Sequence, residues 1–333
     1  MSATAPTRRH LLALIGGLAA LDSRSVAGGG ESLKRIGVLM GLADDAEGRA
    51  RLGAFIDALK ERGWESGKTA YFDVRWLSGE RGTGAQHARA LADTADVILA
   101  ANAIAVDLLI EARCAKPIVF ISIVDHRQRP RGAATSPVSK LTGLMTFEPE
   151  LARHWANYLR EAMPDARPLT LMFNPDTASY AQEAYARVFA PATKALGATP
   201  RAARVRSVAD IERAFASIDA EDGGLAIMTD PFMTVNARLL VDLATRHGVP
   251  TIYPWSFFVK MGGLMSYGPD RIEIFARAAG YVDRVLRGAD PRELPVEGPS
   301  KPQLVINVKT AFSMRLRLPP ALMIRAHMLI PGD

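Results

Sequence analysis

From residue 35 onward, short apolar runs alternate with segments in which apolar residues recur every three or four positions. In the segment Gly48–Arg62 the residues Leu52, Phe55, Ile56 and Leu59 follow this helical spacing and form one apolar face. The strands predicted for the first half are Arg35–Met40, Ala70–Arg75, Val97–Ala100, Ile118–Ile123 and Leu141–Leu144, and the helices between them are Gly48–Arg62, Gln86–Ala92 and Ile104–Cys114. Because near-continuous apolar strands are typical of sheets covered on both faces, the pattern predicts a parallel sheet flanked by helices.

The same alternation restarts after Thr146–Glu148. The predicted helices are Pro149–Ala162, Tyr180–Leu196, Val208–Ile218 and Thr234–His247, and the strands are Leu169–Phe173, Ala202–Val205, Leu225–Met228 and Thr251–Tyr253. A chain of 333 residues exceeds the usual size of one domain. The sequence therefore predicts an α/β protein with two doubly wound parallel-sheet lobes. Their junction is short and has no Pro/Gly linker, which favours a hinge over a flexible tether.

The N-terminus is typical of a secretory signal. Arg8 and Arg9 precede an apolar run of 11 residues, Leu11–Leu21, and Ser25–Ala27 offers small residues at a cleavage site. The run is too short to span a bilayer, which takes about 20 residues. We predict a signal peptide over residues 1–27, similar to twin-arginine signals, and a mature protein that is soluble in the periplasm. The alternative is a frayed amphipathic N-terminus on a cytosolic protein.

Composition excludes several other classes. The net charge is +6, but the Lys and Arg residues are scattered, so no nucleic-acid partner is expected. With Cys114 as the single cysteine, neither an intrachain disulfide nor a lipoprotein anchor can form. The six histidines show no metal-binding spacing. Gly79, Gly82 and Gly84 lack the G-x-G-x-x-G order, so we interpret them as a loop and predict no dinucleotide or other cofactor.

The C-terminal quarter resembles a known family. The segments that carry the resemblance are Thr251–Asp270, Tyr281–Gly288, Leu294–Glu297, Lys301–Ala311 and the Leu318–Pro320 turn. Together they are similar to extracytoplasmic substrate-binding proteins of ABC transporters, in a group that includes tryptophan- and tyrosine-binding members. The resemblance extends from about Arg35 to Ile330.

The resemblance implies a periplasmic-binding-protein-like fold of type I, in which the chain crosses between the lobes three times. Lobe 1 would comprise residues 32–146 and 268–298, and lobe 2 residues 147–267 and 299–333. It further implies a clamshell that closes on a small polar organic solute, such as an amino acid, and delivers it to an ABC permease in the inner membrane. We expect the protein to be a monomer.

Candidate ligand-binding residues follow from the fold, because ligands of doubly wound sheets bind outside the carboxyl ends of the strands. The residues just after the predicted strands are polar or aromatic, which suits a small ligand. The candidates are Asp44, Asn102, Ala103, Ser122, Asp125, Asn174, Thr177, Asp230, Tyr253, Trp255 and Tyr267.

Roles for these candidates depend on the implied amino-acid ligand. Asp230 would pair with an ammonium group, and N–H groups near Asn102 and Thr177 would hold a carboxylate. The three aromatic candidates would line the side-chain pocket. Structural alternatives remain open: Asn102 could cap a helix, and Asn174 could build a turn around Pro175.

No catalytic arrangement competes with this interpretation. The strand-end serines lack a G-x-S-x-G elbow, and no Ser, His and carboxylate are paired by motif. The alternatives from other classes are an intracellular effector-sensing domain of the same fold and an α/β enzyme such as a glycosyltransferase. The first would need an N-terminal DNA-binding segment, and the second a phosphate loop or a metal cluster.

Overall fold

The computed structural model describes residues 33–41, 43–77, 81–122, 140–165, 168–218, 223–299 and 301–331. Within them, six strands form sheet 1: β1 (Lys34–Met40), β2 (Ala70–Trp76), β3 (Val97–Ala101), β4 (Ile118–Ser122), β5 (Leu141–Met145) and β11 (Val296–Glu297). Their spatial order is β11-β5-β4-β3-β1-β2, and every pairing in this sheet is parallel. Sheet 1 is thus the predicted doubly wound type, in which β1 lies between β2 and β3.

Helices cover both faces of sheet 1. They are α1 (Ala46–Glu61), α2 (Arg81–Thr94), α3 (Ala103–Glu111) and α11 (Arg271–Leu286). Alternate residues of β1 enter different cores: Val38 packs with Phe55 and Phe275, and Leu39 packs with Leu91 on the other face. Burial on both faces explains why these strands are apolar along nearly their whole length.

Seven strands form sheet 2 within the described part of the chain. They are β6 (Pro168–Phe173), β7 (Thr199–Arg204), β8 (Gly224–Ile227), β9 (Thr251–Tyr253), β10 (Met265–Gly268), β12 (Gln303–Asn307) and β13 (Met328–Ile330). The order is β13-β12-β10-β9-β8-β6-β7, and all pairs are parallel except β10 with β12.

The helices that accompany sheet 2 are α4 (Glu150–Ala162), α5 (Ala181–Ala184), α6 (Ala190–Ala195), α7 (Val208–Ser217), α8 (Pro231–Val235), α9 (Ala237–Arg246), α10 (Ser256–Lys260), α12 (Val308–Ser313) and α13 (Pro320–Ile324). A π-helical turn, Tyr185–Phe189, joins α5 to α6. Trp155 of α4 is fully buried and its indole N–H donates to the carbonyl of Tyr267 at 2.7 Å. This bond fixes α4 against β10.

The chain passes between the sheets at three places: residues 146–149, 269–270 and 298–302. After the second crossing α11 packs against α1 and against strands of sheet 1, and after the third β12 pairs with β10 in sheet 2. At the second crossing a Cβ on Gly268 would lie 2.0 Å from the carbonyl oxygen of Pro254. Only glycine fits there without a backbone shift. The exact lobe boundaries remain a prediction.

The structure corrects three local predictions. Gly82 and Gly84, interpreted as a loop, lie in α2, and Gly84 is close to Leu108 and Leu77, where a larger residue would not fit. The predicted helix Tyr180–Leu196 contains the π turn. The helix predicted over 234–247 is two helices that meet at Asn236, and Asp230 starts the first of them one turn earlier than predicted.

The predicted signal peptide, residues 1–27, lies outside the described residues. Among the residues that the structure does describe, none of the helices is both long and apolar enough to cross a membrane.

Candidate functional site

The carboxyl edge of sheet 2 brings three of the predicted residues together. The Asp230 carboxylate accepts hydrogen bonds from the backbone N–H of Asn174 at 2.7 Å and from the Thr177 hydroxyl at 2.7 Å. It also caps α8 by accepting from the Phe232 N–H at 2.7 Å. Asp230 thereby ties the loop after β6 to the end of β8.

Asp230 is almost fully buried, with 1% of its surface exposed. Burial raises the pKa of its carboxyl, and the hydrogen bonds from Thr177, Asn174 and Phe232 offset only part of that shift. A carboxylate offers about four acceptor positions. In Asp230, donors of the protein already occupy at least three of these positions. The contacts favour a positioning role for Asp230 within the edge.

The other residues of this edge support the same loops. The Asn174 side chain accepts from the Asp176 N–H at 2.9 Å, which is the turn around Pro175 that the sequence left open. The Tyr180 hydroxyl donates to the carbonyl of Thr229. Thr177 is exposed, so its side chain reaches solvent as well as Asp230.

At the carboxyl edge of sheet 1, Asn102 connects two strand ends. Its side-chain oxygen accepts from the Ala105 N–H at 3.1 Å and caps α3, and its amide nitrogen donates to the carbonyl of Gly41 at 2.7 Å. Asn102 has a φ of 99° and a ψ of 172°, a conformation that is rare for residues other than glycine and that its two side-chain hydrogen bonds help to hold. The side-chain oxygen of Asn102 is therefore used by the helix cap, and its side-chain nitrogen by the bond to Gly41.

The remaining candidates of sheet 1 have different surroundings. Ala103 is the first residue of α3, and Ser122 is the last residue of β4, opposite Met145 in the register. Asp44 is exposed and accepts from Arg49 at 2.6 Å, an ion pair that lowers the pKa of Asp44. Asp125 lies outside the described residues.

Two of the aromatic candidates lie in the cores of sheet 2, on opposite faces. Tyr253 is fully buried and stacks on Phe258, with 4.7 Å between ring centroids. Tyr267 packs against Tyr158 and His154 at 4.9 and 5.1 Å, beside α4. Burial raises the pKa of both tyrosines. Neither ring is brought to the polar residues of the strand ends.

Trp255, the third aromatic candidate, contacts Arg271 of α11, a helix that packs on sheet 1. The Arg271 guanidinium, at the first turn of α11, lies 5.1 Å from the ring centroid of Trp255 and 5.1 Å from that of Phe257. Trp255 is 6% exposed, whereas Arg271 and Phe257 are partly buried. We call these three residues, together with Glu47 and Arg51, the arginine–aromatic cluster.

The α1 part of this cluster is an ion pair between buried Arg51 and half-buried Glu47. Arg51 is 4% exposed and donates through Nε and Nη2 to Glu47 Oε1 at 3.3 and 2.8 Å. Burial lowers the pKa of Arg51, and Glu47 opposes that shift. Burial by itself would raise the pKa of Glu47, but the bond from Arg51 and the charges of Arg271 and Lys260 lower it overall.

Sequence reasoning missed Arg51, Phe257 and Arg271. The only signal available was position: each lies in the first two turns of a helix, and Phe257 and Arg271 also lie within a few residues of a strand end or a crossing. An arginine directly after the helix-capping Asp270 could have been recognised as a cation placed at the crossing between lobes.

A concave region lies at the opposite edge of sheet 2, away from the residues described so far. A depression of about 460 Å³ is lined by residues of α9 and α12, including Asp242, Thr245 and Thr310. Asn307, the last residue of β12, also lines this depression. Because β12 runs antiparallel to β10 and its Ile306 pairs with Met265, the first residue of β10, the depression lies at the amino edge of the parallel strands. Ligands of such sheets bind at the opposite edge. Among the described residues, no three His, Cys, Asp or Glu side chains are grouped to hold a metal ion.

Comparison with known proteins gives a family and a fold. A sequence profile described as "ABC transporter substrate binding protein" matches residues 35–330. No curated protein matches the chain by sequence.

Three similar solved structures cover nearly the whole of their own chains. A conserved domain protein from Vibrio cholerae is 22% identical, with a TM-score of 0.75, over 89% of this chain and 99% of its own. The ABC domain from Streptococcus pneumoniae in complex with L-Trp is 18% identical, also with a TM-score of 0.75, over 90% and 100%. A ligand-free, open substrate-binding protein with adhesive properties from Clostridium difficile is 17% identical, with a TM-score of 0.68, over 90% and 100%. At these identities the likeness establishes the two-lobed fold.

Proposed function

The chain belongs to the ABC transporter substrate binding protein family, and from that premise we propose that it captures a small polar organic solute, an amino acid or a related compound, for import. Proteins of this family bind substrates and are not enzymes, and membership implies a small-molecule ligand and an ABC permease as partner. The predicted inner-membrane permease and the import direction are part of the proposal.

The observation that carries the proposal is the meeting of the two carboxyl edges. Glu47 and Arg51 follow β1 of sheet 1, Trp255 and Phe257 follow β9 of sheet 2, and Arg271 follows the crossing from β10. Arg271 lies on α11, which packs on α1 and on strands of sheet 1, and its guanidinium is 5.1 Å from the ring centroids of Trp255 and of Phe257. An element packed on sheet 1 and the loop after β9 of sheet 2 are thus in contact here. A solute that enters between these edges would contact both lobes at once, which is what a clamshell requires.

An amino acid is the solute class that we favour. The tryptophan complex of the pneumococcal relative supports it, and so does the mixture of polar and aromatic side chains at the strand ends. We assign solute contact to Thr177, which is exposed, and to the backbone N–H groups at the start of α3, near half-buried Ala103. Asp230, Asn174 and Asn102 hold the loops that present them.

We further propose a periplasmic location with residues 1–27 removed. Proteins of this family are generally extracytoplasmic. The twin arginines, the short apolar run and Ser25–Ala27 support an exported chain. N-terminal sequencing of the protein from a periplasmic fraction should give a start near Gly28; an intact Met1 would contradict export.

Calorimetric titration of the chain from Gly28 tests the solute. The panel is the twenty amino acids, with neutral sugars and polyols for comparison, and we expect one-to-one binding of an amino acid. A Thr177→Arg variant should weaken that binding at least about tenfold, because bulk is added at the carboxyl edge. Ser313→Arg is the matched control, since Ser313 lines the depression at the opposite edge.

The outcomes separate the parts of the proposal. Binding of a polyol alone would contradict the amino-acid assignment and leave a solute-binding role. Equal affinity of both variants for a bound amino acid would place the site elsewhere. Circular dichroism and thermal unfolding establish that both variants are folded.

A further inference from the structure

Four other arginines in the described chain stack on aromatic rings, and three of them donate hydrogen bonds to protein acceptors. Arg287 lies 5.6 Å above Trp64 and donates to Asp283 at 2.7 Å and to the carbonyl of Arg62 at 2.9 Å. Arg325 over Tyr158 pairs with Glu161, and Arg204 over Phe173 donates to Gln182. Arg35 over Tyr71 is exposed, so water can satisfy it.

Arg271 differs from all of these. It is partly buried and lies 5.1 Å from the centroids of two rings, and no described residue accepts a hydrogen bond from its guanidinium. A guanidinium has five N–H donors and cannot be deprotonated in a protein. Burial and the neighbouring Arg51 charge lower its pKa well below the usual range, and Glu47 and Asp45 offset this only in part. The guanidinium therefore keeps N–H donors that a ligand can engage.

The surrounding charges leave room for one anion. Glu47 is engaged by Arg51, and Asp45 caps α1 by accepting from the Gly48 N–H at 2.7 Å. With Arg51, Arg271 and Lys260 on the cationic side, the group keeps one uncompensated positive charge. A single carboxylate neutralises it, whereas a doubly charged phosphate would leave an excess of negative charge.

We propose that the Arg271 guanidinium, which lies against the rings of Trp255 and Phe257, binds a carboxylate group of the solute, so that the ligand of this protein is a small carboxylate. This inference rests on the proposed function and names the substrate class of the same site. The planar fork of arginine matches a carboxylate in a bidentate arrangement. The two rings, each with its centroid 5.1 Å from Arg271, add cation–π contacts that hold the guanidinium at this place.

The test compares Arg271→Gln with Arg287→Gln. Arg287 is the matched control because it lies on the same helix and also stacks on a tryptophan, but has protein acceptors. For any amino acid or simple carboxylate that binds the wild type, calorimetry should show at least about 30-fold weaker binding to Arg271→Gln. Arg287→Gln should keep the wild-type affinity, and the carboxamide of the same solute should bind the wild type poorly.

A second measurement needs no identified solute. Acetate at fixed ionic strength should raise the melting temperature of the wild type and of Arg287→Gln more than that of Arg271→Gln, because an anion that binds only the folded state stabilises it. Equal shifts in all three proteins would overturn the carboxylate site.

The two measurements distinguish failure of the inference from failure of the proposed function. A neutral solute that binds the wild type and Arg271→Gln equally well would overturn the inference and leave the binding role intact. An acetate effect specific to Arg271, with no solute bound from the panel, would support the anion site while contradicting the amino-acid assignment.

Discussion

At the scale of single residues, several polar groups at the strand ends support the site by holding its loops. Asp230 is the clearest case, since its two oxygens accept from Asn174, Thr177 and Phe232. Asn102 does the same in sheet 1 through the α3 cap and the Gly41 carbonyl. Such residues are polar and lie near a ligand edge, yet their hydrogen-bonding capacity is used within the protein.

Replacing Asp230 tests this role. In Asp230→Asn one oxygen becomes an NH₂ group that must face an N–H or O–H donor, so we expect a loss of about 1–3 kcal/mol in the free energy of unfolding. Asp176→Asn is the control: Asp176 lies in the same loop, and its ion pair with Arg206 is exposed, so its loss should be within about 0.5 kcal/mol. Urea unfolding of the three proteins measures both values.

The same variant has a pH signature. Burial raises the pKa of Asp230, so the folded protein binds this proton more tightly than the unfolded chain does. The contribution of the proton to stability is complete below about pH 4 and is lost as the pH rises through the raised pKa. The stability gap between the wild type and Asp230→Asn should therefore narrow as the pH rises from that value. A gap that widens over this range would contradict the pKa shift.

At the scale of elements, close backbone contacts at strand ends determine which residues are tolerated. Gly268 ends β10 directly against the carbonyl of Pro254, at the point where the chain leaves sheet 2 for α11. Gly298 occupies the third crossing and faces only the Glu148 side chain, which is exposed. The two glycines look equivalent in the sequence, since each precedes a proline at a crossing.

Alanine substitution separates them. Gly268→Ala would place a Cβ 2.0 Å from a backbone oxygen, so β9 and β10 must shift, and we expect a loss of about 1–3 kcal/mol in unfolding free energy. Gly298→Ala should change stability by less than about 0.5 kcal/mol, because a flexible carboxylate can move aside. Thermal or urea unfolding of both variants gives the comparison, and equal losses would refute the backbone-contact argument.

At the scale of the whole molecule, the arginine–aromatic cluster joins elements that belong to different sheets. Arg271 starts α11, which packs on sheet 1, while Trp255 and Phe257 follow β9 of sheet 2. A solute bound at this cluster would add contacts to both sides, and closure about the three crossings is the motion that allows it.

Closure should be visible in solution. With the solute identified by calorimetry, small-angle scattering should give a smaller radius of gyration for the bound than for the free protein. Arg271→Gln, saturated with the same solute at higher concentration, shows whether closure needs this contact. An unchanged scattering profile of the wild type with confirmed binding would contradict the clamshell.

Much of the fold follows from the sequence. Strand Thr251–Tyr253 has the predicted bounds, and most other predicted elements differ by a few residues. Their apolar periodicity is set by burial on sheet faces, which is a local pattern along the chain. The C-terminal segments predicted the family, and the matched range, 35–330, agrees with the predicted extent.

The sequence alone also determined that the site should lie at strand carboxyl ends, because parallel sheets present their ligand edge there. Only the tertiary structure decided which strand-end residues are free to act. Tyr253 and Tyr267 lie on opposite faces of sheet 2, and each is buried in the core on its side. Arg271, in contrast, contacts Trp255, a residue that is distant along the chain. Spacing within one element is encoded locally, but contacts between elements depend on how both sheets pack, which no local pattern specifies.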